Sequence, residues 1–362
     1  MKSHTLRVII GLGLLILGLG YWPVATPTIQ AQPFDSYLDP YKLNKVTLAG
    51  SHNTFEKKGE FEYLYHAFDY VYLMEIDVWA YANKWFVMHG EVNNPLKWPT
   101  HNDNNCPKSG RPGAPRNQDL RSCIEGLRYW HDQNPNHPLV IVKLELKSGF
   151  VEPNDPVDLD NLISDLRNNG RGARIPKEWI FKPADLMCKN PPWCTDNYAT
   201  PEDAAQADNW PTMAQLRGKF MFILVPGTAS DSAPAEYVDA LRSGVSQVAF
   251  PSVFIKGDED SRVGYYRNAE KQKWNVIFGL QAGRLDTGEI PISRTDWMAA
   301  NNFLILVDDA YPWQNLGQPG PGFERLRMLS TRYKANVIST DQEKLCRRFI
   351  KIRDTDLWPV CQ

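Results

Sequence analysis

The most informative pattern of apolar and polar positions is the stretch from Tyr72 to Gly90, YLMEIDVWAYANKWFVMHG. Leu73, Glu75 and Asp77 alternate with Met74, Ile76 and Val78, so a strand here sends both carboxylates to one face and the apolar side chains to the other. Each buried carboxylate costs on the order of several kcal/mol unless a cation or hydrogen bonds compensate it. No Lys or Arg lies within this strand, and a bound metal is one way to supply the missing charge. After a polar break at Ala80 to Lys84, a second short apolar run, Trp85 to Met88, delivers His89 and then Gly90.

Further strands are predicted at Lys45 to Ala49, Pro138 to Leu146, Lys219 to Val225, Gln247 to Ile255, Trp274 to Gly279, Phe303 to Val307 and Ala335 to Ser339. Helical spacing marks Glu60 to Tyr70, where Phe61, Leu64, Tyr65, Phe68 and Val71 share a face. It marks Ile124 to Gln133, Leu159 to Asn168, Ala233 to Arg242, Asp296 to Asn301 and Gly322 to Tyr333 as well. Eight strands alternating with helices predict an α/β fold, a (β/α)8 TIM barrel. A doubly wound open sheet is the alternative, and the lack of a GxGxxG after the first strand counts against it. Two polar stretches, Glu91 to Cys123 and Pro183 to Pro211, read as long loop insertions.

With 362 residues, 43% hydrophobic and 23% charged, the chain is globular and long enough for one large domain or two ordinary ones. A formal net charge of -2 argues against a nucleic-acid partner. At the N-terminus, Lys2 and Arg7 precede an apolar run from Val8 to Gly20 and a small-residue region ending at Ala31, the order of a secretory signal. Residues 1–31 are therefore expected to be a signal peptide, and 32–362 a single barrel domain of a secreted, periplasmic or cell-surface protein. The apolar run falls short of the roughly 20 residues of a membrane span, and an uncleaved anchor running on to Val24 is the competing reading. Six cysteines suit export, and their order suggests the local disulfides Cys106–Cys123, Cys188–Cys194 and Cys346–Cys361.

In a barrel of this kind the chemistry sits at the C-terminal ends of the strands. The turn Gly50 to Thr54 presents His52 and Asn53 there, and PLVIVKLEL places Lys143, Glu145 and Lys147 on one face. Asn53, Glu75, Asp77 and Glu145 form an all-oxygen set that suits a hard cation such as Ca2+. His52 and His89 are then free for acid and base work. Plainer readings stand beside these. Asn53 can be a turn or cap residue, and Glu75 and Asp77 can pair with barrel lysines such as Lys143. His66 reads as structural, while His101, His131 and His137 read as solvated. Asp308 and Asp309 end the seventh strand and are candidates for the barrel mouth.

SHNT at 51–54, MEIDVW at 74–79, VMHG at 87–90 and VKLELK at 142–147 resemble the catalytic barrel of Ca2+-dependent phosphoinositide-specific phospholipase C, in its secreted, single-domain bacterial form. The resemblance implies that Asn53, Glu75, Asp77 and Glu145 hold Ca2+ and that His52 and His89 are the catalytic pair. His89 would be the acid, with Glu75 or His52 as the base. It implies a monomer acting on a phospholipid substrate at a membrane surface and releasing diacylglycerol and a cyclic inositol phosphate. Lys147, one alternation beyond Glu145, is a candidate for a substrate phosphate or for a salt bridge within its layer. A glycerophosphodiester phosphodiesterase, a sphingomyelinase D-like enzyme and a binding protein on a decayed barrel are the rival readings. N-terminal sequencing of the exported protein is expected to start at Gln32; a product starting at Met1 would favour the anchor.

Overall fold

A computed structural model describes residues 36–57, 59–89, 104–164, 175–188, 196–227, 229–241, 247–310, 319–341 and 350–353. Its strands are Val46–Ser51 (β1), Leu73–Tyr81 (β2), Lys84–Val87 (β3), Val140–Leu146 (β4), Phe220–Pro226 (β5), Ala249–Phe254 (β6), Ile277–Gln281 (β7), Leu304–Asp308 (β8), Val337–Thr340 (β9) and Ile350–Ile352 (β10). Eight of them, in the order β1-β2-β4-β5-β6-β7-β8-β9, pair in parallel, and β9 returns to β1 to close a barrel. The two remaining strands are antiparallel additions, β3 on β2 and β10 on β1.

The period-two alternation separates two cores. Met74, Ile76, Val78, Val142, Leu144, Leu146, Phe222 and Leu224 face outward and pack with Ile124 and Leu127 of the helix Leu120–Gln133, with Leu159 and Ile163 of Pro156–Ser164 and with Tyr237 of Ala233–Leu241. Leu73, Ile141, Met221, Ile223 and Val225 belong to the other core, which lies on the inner side of these strands. Strand alternation then points Glu75, Asp77, Lys143 and Glu145 into the barrel.

The helix Leu120–Gln133 starts at Asp119, whose side chain accepts a hydrogen bond from the Arg121 N–H, and an Arg121–Glu125 ion pair spans its first turn. Cys123 on this helix forms the disulfide with Cys106 and ties down the end of the first polar insertion. Asn105 is fully buried there and donates to the carbonyls of Thr54 and Phe61, so residues 104–119 are folded rather than structureless. Cys188 is disulfide-bonded, while Cys194, Cys346 and Cys361 lie outside the described residues.

Three other expectations need correction. Glu60 to Tyr70 holds a 3-10 helix over Leu64–Asp69 instead of an α-helix, with Leu64, Tyr65, Ala67 and Phe68 buried. The second polar insertion contains the short helices Pro183–Leu186 and Pro201–Gln206, the latter started by a Thr200–Asp203 capping box. His131 and His137 are not solvated, since each is only 5% exposed. His131 stacks on Trp179, and both histidines lie against Phe220. His101 lies outside the described residues.

The His137 Nδ1 meets the Pro138 carbonyl, which can only accept, so this nitrogen carries the proton. Nε2 of His137 then accepts from His131 Nδ1 at 3.0 Å in a neutral pair. Burial lowers the pKa of both rings, and that of His137 falls to about 4, helped by the charge of His131. The unfolded chain protonates His137 near pH 6.5 and the folded chain only near 4, so stability is lost as pH falls through that window. Chemical denaturation at stepped pH is expected to show this loss, up to about 3 kcal/mol from His137, and His137→Gln should flatten the dependence.

Candidate active site

Parallel register between β2 and β4 sets Glu75 beside Lys143 and Asp77 beside Glu145. The cation that β2 lacks is thus supplied by its neighbour. Lys143 reaches Glu75 Oε1 at 3.0 Å and donates to Asp308 Oδ2 of β8 at 2.6 Å, bridging the barrel interior. Lys147, just past the end of β4, donates to Glu145 Oε1 at 2.6 Å and meets Asp77 Oδ2 at 3.1 Å.

Compensation is incomplete. Glu75, Asp77, Glu145 and Asp308 are all buried and face two ammonium groups. Neither oxygen of Asp77 has a protein hydrogen-bond partner, nor has Glu75 Oε1 or Asp308 Oδ1. The lysine contacts to Asp77 and to Glu75 are ion pairs that lack hydrogen-bond alignment. Burial raises the Asp77 pKa to about 7 despite Lys147, and burial also raises those of Glu145 and Asp308. For Glu75, burial acts upward as well, yet the charges of Lys143 and His52 and the Asn53 N–H bring its pKa to about 2.

The carboxylates of Glu75, Asp77 and Glu145 place oxygen atoms within 4.8 Å of one another. Oxygen donors that are buried, excess in charge and short of hydrogen bonds fit a hard divalent cation. Asn53 adjoins the cluster through its backbone: it adopts the left-handed conformation at φ 50°, opens the 3-10 turn Thr54–Glu56, and donates its N–H to Glu75 Oε2 at 3.3 Å. Thr54 Oγ1 accepts from the Glu75 N–H, which fastens this turn to β2.

His52 follows β1 and presents Nε2 to Glu75 Oε2 at 3.8 Å, while Nδ1 lies 3.2 Å from Asp341 and 3.6 Å from Asp309. Burial alone would lower its pKa, but the Asp341 hydrogen bond and the charges of Glu75 and Asp309 outweigh burial and raise it to about 9. Lys57 pairs with Asp341 in turn, at 3.2 Å. His89 follows β3, the return strand of a hairpin whose turn residues Ala82 and Asn83 both have positive φ. The Met88 N–H reaches the Asp77 carbonyl at 3.3 Å, which carries His89 toward the cluster. His89 itself is half exposed and pairs with Glu56 at 3.4 Å; that hydrogen bond raises its pKa against partial burial.

His52, Glu75, Lys143, Glu145, Lys147, Asp308 and Asp309 line a cavity of about 540 Å³ at the C-terminal ends of the strands, and Ser230, Asp231, Lys256 and Tyr265 line it too. Asp77 and His89 do not line it. Asp341 and Glu56 were missed in the sequence, although the strand-end rule that flags Asp308 also applies to Asp341, one residue past β9. Nothing in the spacing of Glu56 announces its pairing with His89, which depends on the hairpin.

Residues 115–276 match the family described as phosphoinositide phospholipase C, Ca2+-dependent. That span contains Lys143, Glu145 and Lys147, while His52, Glu75, Asp77 and His89 precede it. Among solved structures, the chain is similar to a Ca2+-dependent phosphatidylinositol-specific phospholipase C from Streptomyces antibioticus, at 27% identity over 84% of this chain and 96% of that one, with a TM-score of 0.68. It shares the fold of a calcium-dependent phosphoinositol-specific phospholipase C from a Gram-negative Pseudomonas sp. in its myoinositol complex, at 19% identity, 88% and 97% coverage and a TM-score of 0.63. No curated protein matches the chain. Glu75→Gln and Asp77→Asn are each expected to weaken Ca2+ binding by about tenfold or more while the circular dichroism of the fold persists. Unfolding, with Ca2+ affinity unchanged in whatever remains folded, would make these acids structural.

Proposed function

We propose that the chain is a Ca2+-dependent phosphoinositide phospholipase C that cleaves phosphatidylinositol at a membrane surface to diacylglycerol and a cyclic inositol phosphate. The observation that carries this reading is the cluster of Glu75, Asp77 and Glu145, whose charge exceeds that of its lysines, set beside a cavity that His52 lines. Glu75, Asp77, Glu145 and Asn53 are the proposed Ca2+ ligands. When bound, Ca2+ supplies positive charge that favours an alkoxide and steadies the phosphoryl oxygens.

The inositol 2-hydroxyl is the nucleophile, so the reaction calls for no serine or cysteine nucleophile from the chain. Its oxygen forms a new bond to phosphorus as the bond to the diacylglycerol oxygen breaks. The hydroxyl proton passes to one of two groups that face each other at 3.8 Å, Glu75 Oε2 or, when its ring is neutral, His52 Nε2. His89 gives a proton to the leaving oxygen, and Glu56 on its Nδ1 supports the protonated ring. Lys147, at the cavity wall, is the proposed contact for the substrate phosphate. We also propose an exported monomer in which residues 32–362 form the barrel domain.

Comparison of phosphatidylinositol, glycerophosphoinositol and sphingomyelin in Ca2+ and in excess chelator tests the substrate, with phosphorus NMR expected to show a cyclic inositol phosphate first. Release of phosphatidic acid or ceramide phosphate would move the chain to a rival reaction. His89→Ala should lose roughly 100-fold or more in turnover on the natural lipid and much less on a nitrophenyl analogue, whose leaving group needs no proton. His52→Ala should show no such rescue. Equal rescue of both variants would overturn the assignment of roles.

A further inference from the structure

Lys147 stands in two roles that it cannot fill at once. Its ammonium lies 2.6 Å from Glu145 and 3.1 Å from Asp77, two of the three carboxylates whose oxygens converge within 4.8 Å. A divalent ion drawing on those oxygens would meet a positive charge already among them, and two cations at that separation repel strongly. Lys143 differs. It holds Glu75 from the other side and is anchored on Asp308, which is not part of the converging set.

We propose that Lys147 is a tethered cation that shields the acidic cluster in the metal-free protein and is displaced into the cavity when Ca2+ binds, becoming available to the substrate phosphate only then. The inference rests on the Ca2+ reading above and adds an ordered exchange to it. The backbone is suited to such a movement. The Lys147 N–H donates to the Val78 carbonyl at 2.9 Å and its own carbonyl accepts from Ala229 at 3.1 Å, so the main chain is held on both sides. Only the four-carbon stem need rotate, and the side chain already borders the cavity.

Exchange explains how a cluster that repels itself can be folded before any metal arrives. It also couples metal and substrate: an anion that holds the freed ammonium prevents its return to Asp77 and Glu145, so each ligand favours the other.

Two measurements test the proposal, both on the full-length mature protein with CaCl2 as the probe. Calorimetry should show that Lys147→Met binds Ca2+ about tenfold or more tightly than the unaltered chain, because the competing cation is gone. In the unaltered protein, labelling of Lys147 by an amine-reactive reagent, read by mass spectrometry, should rise several-fold on Ca2+ saturation, from a side chain that is 8% exposed. Lys143, at 2%, should stay protected. Unchanged or weaker Ca2+ binding by Lys147→Met overturns the proposal. So does tighter binding without a change in labelling, which would mean that the ammonium merely repels the ion from where it stands. If the Met variant does not fold, Lys147→Gln and the labelling experiment decide. Failure of the unaltered protein to bind Ca2+ at all would sink the metal reading instead, and the two failures are thereby distinguishable.

Discussion

Everything around the site answers to one electrostatic fact, the convergence of more negative charge inside the barrel than the protein itself neutralises. Four buried carboxylates face Lys143 and Lys147, and several of their oxygens have no protein hydrogen bond. Burial of this kind lowers stability in isolation, so it persists only where a ligand or a function returns the loss. The apolar shell serves the same end. Met74, Ile76 and Val78 bind β2 to the outer helices and hold the acids in register with β4. A slip of one residue would turn Glu75 and Asp77 outward and bring Met74 and Ile76 in.

Much of this is legible in the sequence because alternation is a local property. The residues from Leu73 to Val78 are enough to place two carboxylates on one strand face, and the eight barrel strands fall within a few residues of the periodic runs. The compensating partners are harder to foresee. Lys143 lies 68 positions from Glu75 and becomes its neighbour only through parallel register, and Asp308 reaches Lys143 from a further strand, 165 positions on. Asp341 is exposed and Glu56 half-buried, both acids of a common type, and only the fold brings them to His52 and His89.

His131 and His137 mislead for a related reason. A polar residue at a helix end, followed by Asn and Pro, resembles a solvated turn. Here Trp179 and Phe220 come from elsewhere in the chain and cover both rings, and each histidine satisfies the other. The polar insertion ending at Cys123 misleads in the same way, since its apolar content is low but Asn105 and the disulfide give it internal anchors. Composition describes how much surface a segment can bury, whereas covalent links and buried amides decide whether a short one is ordered anyway.

The barrel is not equally strong around its circumference. β4 pairs with β5 over seven residues, but β1 meets β2 in register only at Gly50 with Leu73 and Ser51 with Met74, and β8 meets β9 only at Leu306 with Val337 and Val307 with Ile338. A side chain at Gly50 would collide with Ser339 of β9 and crowd Val337 and Leu73, so glycine lets β1 sit close to both of its barrel neighbours. With β8–β9, the β1–β2 join is one of the two shortest ladders in the ring. The residues immediately after it are His52 and Asn53, and the first acid on the other side is Glu75. Thermal breathing at this joint would separate the imidazole from the carboxylate, and an occupant that spans the joint would act as its clasp.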